Sequence, residues 1–345
     1  ATIWLFVSLS DGEKVGWGEA TLDQQEEDVA ACFQNLPDLM TVDDLAGLRF
    51  DTLPHAAVSS GLRQAQLDLA ARKANVPLSV YLGGAVHDTI GLYANINRCT
   101  RDRSPAGMAA SANRALRQGH SAIKIAPFDE VQPTQTDKDM TRAMEQGLAR
   151  IAAVREAIGN RRLMVDCHWR FDLGGAEALI DACAPFNLHW IECPILETRA
   201  AIPAIVSLRR RANAAGMRLA GLETAIQRKG FAPYLEAGAY DVMMPDVKYC
   251  GGPREMMAIA ADMERRGVTF SPHNPTGPIC HMHSVNICSA LGTCDLLETQ
   301  FDETSMFDSL IDRSLPHPIK GQVALPTDKP GLGVSLIMPD RRVPT

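Results

Sequence analysis

The pattern of hydrophobic and polar positions divides the chain into three parts. In the first, two short strand-like runs, IWLFVSL and VGWGEA, flank the turn-forming segment SDGEK. This arrangement predicts a β-hairpin over about the first 20 residues. Between residues 57 and 83, apolar residues recur at three- and four-residue steps, which predicts a helix ended by a Gly-Gly pair. We therefore predict a small α+β unit over residues 1–88.

From about residue 90, short apolar runs alternate with helical patterns such as that of residues 139–159. The eight runs are IGLYANIN, SAIKIA, RLMVD, LHWIE, MRLAGLE, YDVMMPD, VTFSPH and DLLE. This alternation indicates βα units around a parallel sheet. Eight strands in so short a stretch favour a closed barrel over an open sheet, so we predict a (β/α)7β TIM-like barrel over residues 89–314.

The third part, residues 315–345, is rich in proline and glycine and cannot supply another barrel unit. We expect it to return and pack on the N-terminal unit. The chain also begins within a strand-like run, so we expect an upstream segment to precede it.

Composition narrows the class of protein. The hydrophobic content of 46% and the charged content of 22% are those of an ordinary globular protein. The net charge of −7, with scattered lysines and arginines, argues against a nucleic-acid or anionic-membrane partner. Since neither an 18-residue apolar span nor an N-terminal signal is apparent, we expect a cytoplasmic protein. The nine cysteines form no C-x-x-C pair, which predicts reduced thiols rather than a zinc or disulfide framework.

Seven consecutive predicted strands close on an ionisable side chain. In chain order these residues are Lys124, Asp166, Glu192, Glu223, Asp246, His273 and Glu298. The C-terminal strand ends of such barrels form the active-site face, so the seven side chains are expected to converge. A single acid at a strand end is more often a loop charge or a helix cap, but that explanation does not account for seven in register.

Convergence brings several carboxylates close together, and their mutual repulsion requires a cation. Carboxylate oxygens favour a hard ion, with Mg²⁺ first and Mn²⁺ second. Zinc is disfavoured, because His168 and His273 lie too far apart along the chain to form a spaced motif.

The order Lys, Asp, Glu, Glu, Asp, His, Glu on strands two to eight resembles the mandelate racemase subgroup of the enolase superfamily. The intervals fit one βα unit each, with 26 residues from Asp166 to Glu192 and 27 from Asp246 to His273. VGWGEA and VPLSVYLGG resemble the family's capping domain, and PDVKYCGG and SPHNPTGP resemble its sixth and seventh strand ends. The resemblance covers nearly the whole chain. It implies an α+β capping domain built from the N-terminal region and the C-terminal tail, with the preceding specificity loop missing here.

The resemblance also implies roles for these residues. Asp166, Glu192 and Glu223 would bind Mg²⁺, which would hold a substrate carboxylate and stabilise the enediolate formed when the α-proton leaves. His273 would be an acid/base oriented by Asp246. Lys124 would be a second base or an electrostatic contact, and Glu298, if protonated, would hydrogen-bond the enediolate.

One position departs from the family pattern. Ala122 stands where the family has the first lysine of a Lys-x-Lys motif, so another group must supply positive charge near the substrate carboxylate; Arg98 and His168 are the candidates. The expected substrate contacts are Asn95, Asn97, Arg98, His168 and Arg170. Each of these residues also fits an ordinary loop position.

This polar set suits a polyhydroxylated acid, whose buried hydroxyls need partners. We therefore predict a lyase of carbohydrate acid catabolism that dehydrates an aldarate or aldonate to a 2-keto-3-deoxy acid. Arg98 or Arg170 gripping a second carboxylate would favour diacids. One alternative is a racemase or epimerase of a 2-hydroxy acid that uses Lys124 and His273. The other is a barrel that binds sugar acids without catalysis. The expected partner is a small-molecule carboxylate, and the family implies a homo-oligomer of unspecified size.

Overall fold

The computed structural model describes residues 3–37 and 39–337. The described chain begins with the predicted hairpin, in which β1 (Phe6–Ser10) pairs antiparallel with β2 (Val15–Glu19). Asp11 closes the turn, because its carboxylate accepts hydrogen bonds from the backbone N–H groups of Glu13 and Lys14. The helices that follow are α1 (Glu26–Gln34), α2 (Val42–Ala46), α3 (Leu53–Lys73) and α4 (Leu78–Tyr81).

The single helix predicted for residues 57–83 is instead two helices, α3 and α4. α3 begins earlier because the hydroxyl of Thr52 caps it, accepting a hydrogen bond from the N–H of His55. After α3, Asn75 has a positive φ of 55°, and Pro77 has no N–H to continue the helical ladder. The prediction therefore began four residues too late and missed the break between α3 and α4, although most of its residues are helical.

α3 lies directly on β2, and two glycines of the VGWGEA segment make this contact possible. A Cβ at Gly16 would lie 2.1 Å from the backbone oxygen of Ala65, and a Cβ at Gly18 would lie 2.0 Å from that of Gly61. Any larger residue would push the strand away from the helix.

The rest of the chain is dominated by a curled parallel sheet. Its parallel strands are β3 (Thr89–Asn95), β4 (Ala122–Ile125), β5 (Arg162–Asp166), β6 (Trp190–Glu192), β7 (Arg218–Gly221), β8 (Val242–Met243), β9 (Thr269–Phe270) and β10 (Leu297–Gln300). The helices between them are α5 (Pro105–Arg117), α6 (Asp137–Ile158), α7 (Leu173–Cys183), α8 (Ile202–Ala214), α9 (Gln227–Ala237), α10 (Pro253–Glu264) and α11 (Pro278–Ser289). Short 3₁₀ helices lie at Ala184–Phe186 and Arg199–Ala201. The predicted alternation of strands and helices is confirmed.

The strands pair in the order β10-β3-β4-β5-β6-β7-β8-β9. A parallel bridge between Phe270 and Cys294 links β9 to the chain just before β10, so the two ends of the curled sheet come together. After β10 come α12 (Met306–Ser309) and β11 (Gln322–Ala324), and β11 pairs antiparallel with β3.

Both faces of the sheet are buried, as expected for parallel strands. Alternate side chains such as Tyr93, Met164 and Trp190 form a cluster on one face, and the intervening residues pack against the helices on the other. Successive strands are in register, with Lys124 opposite Met164 and Asp166 opposite Glu192. This register places the polar strand ends at one edge of the sheet.

The N-terminal elements pack against the loops at that edge. Gln64 of α3 donates a hydrogen bond to the carbonyl of Val247, and Glu19 of β2 accepts three from the segment after β9. The tail reaches the same unit, since the N–H of Leu78 donates to the carbonyl of Gly331 at 2.7 Å.

The domain limits at residues 88/89 and 314/315 stay predictions. Residues 338–345 of the predicted C-terminal segment lie outside the described residues. In the part of the chain that the structure describes, we find no helix long and apolar enough to cross a membrane.

Candidate active site

Three acidic side chains meet where β5, β6 and β7 end. Asp166 and Glu192 are the last residues of β5 and β6, and Glu223 lies two residues beyond β7. Each offers one carboxylate oxygen, and these oxygens lie within 4.8 Å of one another. All three residues are buried. We call this set the carboxylate triad.

The electrostatics of the triad favour a bound cation. Burial, followed by repulsion from Asp166 and other acids, raises the pKa of Glu192 to about 8 despite the nearby Lys124. Burial likewise raises the pKa of Glu223, and its Oε2 has no hydrogen-bond partner among the described residues. Burial opposes ionisation of Asp166, but His168 and Lys124 outweigh it and hold the pKa of that carboxyl below its usual range. Such a set of hard oxygen donors fits Mg²⁺ or Mn²⁺.

Lys124 lies on one side of the triad, fully buried in β4. Its Nζ donates to Oε1 of Glu192 at 2.7 Å and lies 3.0 Å from Oε1 of Glu298. Burial would lower its pKa, but these two carboxylates raise it well above the usual value. Lys124 is therefore a buried cation held between two acids.

His273 lies on the other side, three residues beyond β9. Its Nδ1 is 2.8 Å from Oδ2 of Asp246, and its Nε2 faces the triad, 3.6 Å from Oε2 of Glu223. The same oxygen of Asp246 accepts a hydrogen bond from Nζ of the buried Lys248 at 2.9 Å. The predicted proximity of His273 and Asp246 is thus present in the structure, with Lys248 as an additional member.

Glu298 lies within β10 rather than at its end, and its two oxygens are held differently. Oε1 accepts a hydrogen bond from Nδ2 of Asn95 at 2.7 Å and also faces Lys124. Oε2 accepts one from the backbone N–H of Asn274 at 3.1 Å. Despite burial, Lys124 and His273 keep the pKa of Glu298 below its usual value. The structure therefore brings Asn95 into the site beside Glu298.

His168 returns to the triad by a backbone turn. β5 ends at Asp166, and His168 has a left-handed φ of 47°, so the strand does not continue through His168. Its Nε2 nevertheless lies 2.8 Å from Oδ2 of Asp166, and 42% of its side chain is exposed. The attraction of Asp166 raises the pKa of His168 to about 9. His168 thus supplies positive charge at the open side of the triad.

The other predicted substrate contacts have protein partners. Oδ1 of Asn97 accepts a hydrogen bond from the N–H of Ala126, joining the ends of β3 and β4. The guanidinium of Arg170 donates to the carbonyls of Asp129 and Val131 in the loop after β4. Contact of Asn97 or Arg170 with a substrate stays a prediction.

Arg98 lines a cavity formed by residues of the N-terminal region, the segment after β3 and the segment after β10. Its guanidinium pairs with Glu303 at 3.0 Å and with Asp23 at 3.4 Å. These three residues line a cavity of about 830 Å³ together with Trp4, Phe6, Arg101, Thr304, Met306 and Leu310. The cavity has room for a sugar acid, and substrate binding by Arg98 stays a prediction.

Sequence reasoning missed Asn274 and Glu197. Asn274 holds β10 through a hydrogen bond from its Nδ2 to the carbonyl of Glu298 at 2.9 Å. Glu197 bonds to the loops behind the triad. Asn274 directly follows His273, which was a usable signal, whereas nothing in the spacing distinguished Glu197 from a surface acid.

Comparison with known proteins agrees with the family resemblance seen in the sequence. The family model described as "Enolase C-terminal domain-like" matches residues 107–340. D-galactonate dehydratase from Xanthomonas campestris pv. campestris is 28% identical over 353 residues, covering 96% of this chain and 88% of that protein. D-galactonate dehydratase from Ralstonia pickettii is 26% identical over 351 residues, with the same coverage of 96% and 88%.

Solved structures of similar proteins share the fold. A mandelate racemase/muconate lactonizing enzyme-like protein from Rubrobacter xylanophilus superposes with a TM-score of 0.84 at 26% identity, covering 97% of this chain and 91% of that one. A mandelate racemase/muconate lactonizing enzyme from a Sulfitobacter species gives a TM-score of 0.83 at 23% identity, with coverage of 96% and 88%.

Proposed function

Because the chain belongs to the enolase superfamily, within its mandelate racemase subgroup, we propose that it is a Mg²⁺-dependent acid-sugar dehydratase. It would remove the α-proton of an aldonate or aldarate and expel the β-hydroxyl, giving a 2-keto-3-deoxy acid. The observation that carries this proposal is the position of His273, whose Nδ1 lies 2.8 Å from Asp246 while its Nε2 faces the carboxylate triad.

We interpret the curled sheet as a (β/α)7β barrel whose C-terminal strand ends form the active site. The N-terminal elements and the tail would form the capping domain, since Gln64 and Glu19 contact the loops at those strand ends.

Asp166, Glu192 and Glu223 would hold the Mg²⁺ ion. When bound, the ion supplies fixed positive charge for the substrate carboxylate and for the negative charge that develops on it. Oε2 of Glu223 accepts no hydrogen bond from the described residues, which supports this assignment, because a buried carboxylate oxygen without a hydrogen bond is costly to maintain.

We assign proton abstraction to His273. Its Nδ1 is held by Asp246, which leaves Nε2 directed at the triad, in position to accept a proton. After protonation, the same nitrogen can donate the proton to the departing β-hydroxyl. Lys248 keeps Asp246 ionised, so that the aspartate can stabilise the imidazolium form of His273.

Lys124 and Glu298 would serve as electrostatic contacts. The ammonium group of Lys124 is bonded to carboxylates on both sides, which leaves it positioned as a fixed cation rather than as a base. It would thereby provide part of the positive charge that is missing at Ala122, and His168 would provide the rest on the exposed side.

The similarity to D-galactonate dehydratases favours an aldonate as the substrate. A panel of aldonates and aldarates, incubated with the protein and Mg²⁺ and assayed for 2-keto acid, tests the proposal. We expect product from at least one sugar acid, with D-galactonate as the first candidate. Absence of product from every acid in the panel would overturn the assignment as a dehydratase.

Racemisation or epimerisation of a 2-hydroxy acid is the second candidate, favoured by the placement of Lys124 and His273 on opposite sides of the triad. The same panel distinguishes the two reactions. A racemase exchanges the α-proton and inverts the stereocentre without losing water, whereas a dehydratase yields a 2-keto acid.

A further inference from the structure

A carboxylate behind the triad joins the loops that follow the three ligand-bearing strands. Glu197 lies in the loop after β6 and is partly buried. Its Oε2 accepts a hydrogen bond from the indole N–H of Trp169 at 3.0 Å. Its Oε1 accepts two more at 2.7 Å, from the backbone N–H of Leu222 and from the hydroxyl of Tyr240. One side chain thus holds a residue after β5, a residue after β7 and a residue just before β8.

Two of the residues held by Glu197 adopt a backbone conformation that is unfavourable for them. Trp169 has a φ of 54° and Leu222 a φ of 71°, both in the left-handed region that favours glycine. Trp169 lies in the turn after Asp166, and Leu222 directly precedes Glu223. Hydrogen bonds that fix these two turns therefore also fix the directions of the two carboxylates.

Main-chain hydrogen bonds of Cys193 also link the ends of these strands. Cys193, directly after Glu192, also has a positive φ, of 46°. Its N–H donates to the carbonyl of Ala220 at 3.0 Å, and its carbonyl accepts from the N–H of Trp169 at 2.7 Å. The three strand ends are thus bonded to one another through main-chain groups, with Glu197 as the side chain that spans them.

Gly221 shows how closely Glu197 approaches β7. A Cβ at this position would lie 2.3 Å from Oε1 of Glu197 and 2.9 Å from the ring of Tyr240. A larger residue at the end of β7 would displace the carboxylate from the N–H of Leu222. Gly221 and Glu197 therefore pack directly against each other, and Gly221 lies two residues before Glu223.

We propose that Glu197 is a positioning residue that sets the spacing of Asp166, Glu192 and Glu223 before a cation binds. This inference rests on the proposed function, because it concerns the same metal site. Loss of a group that orients metal ligands typically weakens metal affinity about 10- to 100-fold. A role confined to loop packing would change the stability of the fold and leave the affinity for the cation unchanged.

A double-mutant cycle with Mn²⁺ as the probe separates these roles. Glu197→Gln keeps the size of the side chain and an oxygen for Leu222 and Tyr240, but its amide NH₂ cannot accept from the indole of Trp169. Trp169→Phe removes the same hydrogen bond from the loop after β5. We would measure Mn²⁺ affinity by titration calorimetry and thermal unfolding for both single variants, the double variant and the wild type. Glu236→Gln, at an exposed position on α9, is the matched control.

We expect Glu197→Gln to weaken Mn²⁺ binding about tenfold, and to weaken it much less when Trp169 is already phenylalanine. The control should bind as the wild type does. Should Glu197→Gln fail to fold, Trp169→Phe alone must weaken binding. Wild-type affinity in folded Glu197→Gln or Trp169→Phe protein, with only a lower unfolding temperature, would overturn the positioning role. Failure of the wild type itself to bind Mn²⁺ or Mg²⁺ would instead overturn the proposed function, and the inference with it.

Discussion

Glu223 is the least compensated member of the carboxylate triad. Asp166 has His168 beside it and Glu192 has Lys124, whereas among the described residues Oε2 of Glu223 has only the imidazole of His273, at 3.6 Å. Burial and the neighbouring Asp166 raise the pKa of Glu223, which means that folding disfavours its ionised form. In the cation-free protein, ionisation of Glu223 is therefore less favourable than in the unfolded chain.

Glu223→Gln should consequently have opposite effects on stability and on metal binding. We expect the cation-free variant to be more stable than the wild type by about 1 kcal/mol, because the buried charge is gone. Thermal unfolding with and without Mg²⁺ checks this, and Mg²⁺ should stabilise the wild type but not the variant. A variant that is less stable without Mg²⁺, yet still stabilised by it, would contradict the account of Glu223.

Replacing Asp246 and replacing His273 should change stability by different amounts, although we propose that both residues serve proton transfer. Asp246→Asn leaves the buried Lys248 without its anion, so we expect a loss of about 3 kcal/mol in unfolding free energy. His273→Asn leaves the Asp246–Lys248 pair intact and should cost about 1 kcal/mol. Both variants should lose about 10²- to 10⁴-fold in turnover. Urea unfolding measures the stabilities, and initial rates measure turnover. Wild-type turnover in His273→Asn would disprove the assignment of proton abstraction to His273.

Individual site residues were predictable where they lie on or near strands. The spacing by βα units located the carboxylate triad, because strand register fixes where such residues converge. Beyond the strand ends, the backbone conformation of the loops determines where each side chain lies. The left-handed turn at His168 and Trp169 redirects the chain, so spacing could not show that Arg170 binds loop carbonyls.

Among the helices, α11 depends on a residue from another element. Gly277 at its N-cap has no side chain to satisfy the first N–H groups, and Glu19 of β2 takes this role. Its carboxylate accepts hydrogen bonds from the Thr276 hydroxyl at 2.6 Å and from the N–H groups of Gly277 and Cys280 at 2.8 and 2.9 Å. The hairpin thereby fixes the start of the helix that follows the His273 loop.

Glu19→Ala should leave these buried donors unsatisfied and lower the unfolding free energy by about 3 kcal/mol. Glu19→Gln retains one acceptor oxygen, so we expect about half that loss. Equilibrium urea unfolding of the two variants and the wild type provides the comparison. Equal stability of Glu19→Ala and the wild type would show that the carboxylate does not stabilise α11.

Element type was more predictable than element length. The helix predicted at residues 139–159 is Asp137–Ile158, capped by Thr136. The helix predicted at 57–83 was wrong because its apolar pattern continues past the turn at Asn75 and into α4. Periodicity therefore identified helical residues, while capping and the proline at 77 determined the boundaries.

Across the whole molecule, three buried histidines make stability depend on pH. Burial lowers the pKa values of His120, His281 and His283 to about 4. In the unfolded chain a histidine takes up its proton near pH 6.5. Between these values the unfolded state binds more protons than the folded state, so stability is lost as the pH falls from about 6.5 towards 4.

His120→Phe should remove one of these three contributions. The ring of His120 packs edge-on against Phe301, a contact that phenylalanine can keep. Each such histidine contributes up to about 1.4 kcal/mol per pH unit in this range. Unfolding free energies of the wild type and His120→Phe between pH 6.5 and 5 should therefore show a shallower slope for the variant. Identical slopes would mean that His120 is not kept neutral by the fold.

The order of strands and helices could be predicted because seven βα units repeat one pattern. The connections between distant parts could not, since they depend on contacts with no sequence period. β11 pairs with β3 across more than 200 residues, and the Phe270–Cys294 bridge joins the ends of the sheet through an irregular segment. The contact between Leu78 and Gly331 is of the same kind.

The most direct test of the proposed chemistry follows D-galactonate and related sugar acids by NMR in D₂O. We predict that the wild type forms a 2-keto-3-deoxy acid with Mg²⁺ present, and that a chelator or the Asp166→Asn substitution abolishes its formation. Product formed at the same rate with the chelator, or no 2-keto acid from any sugar acid with a protein that binds Mg²⁺, would contradict it.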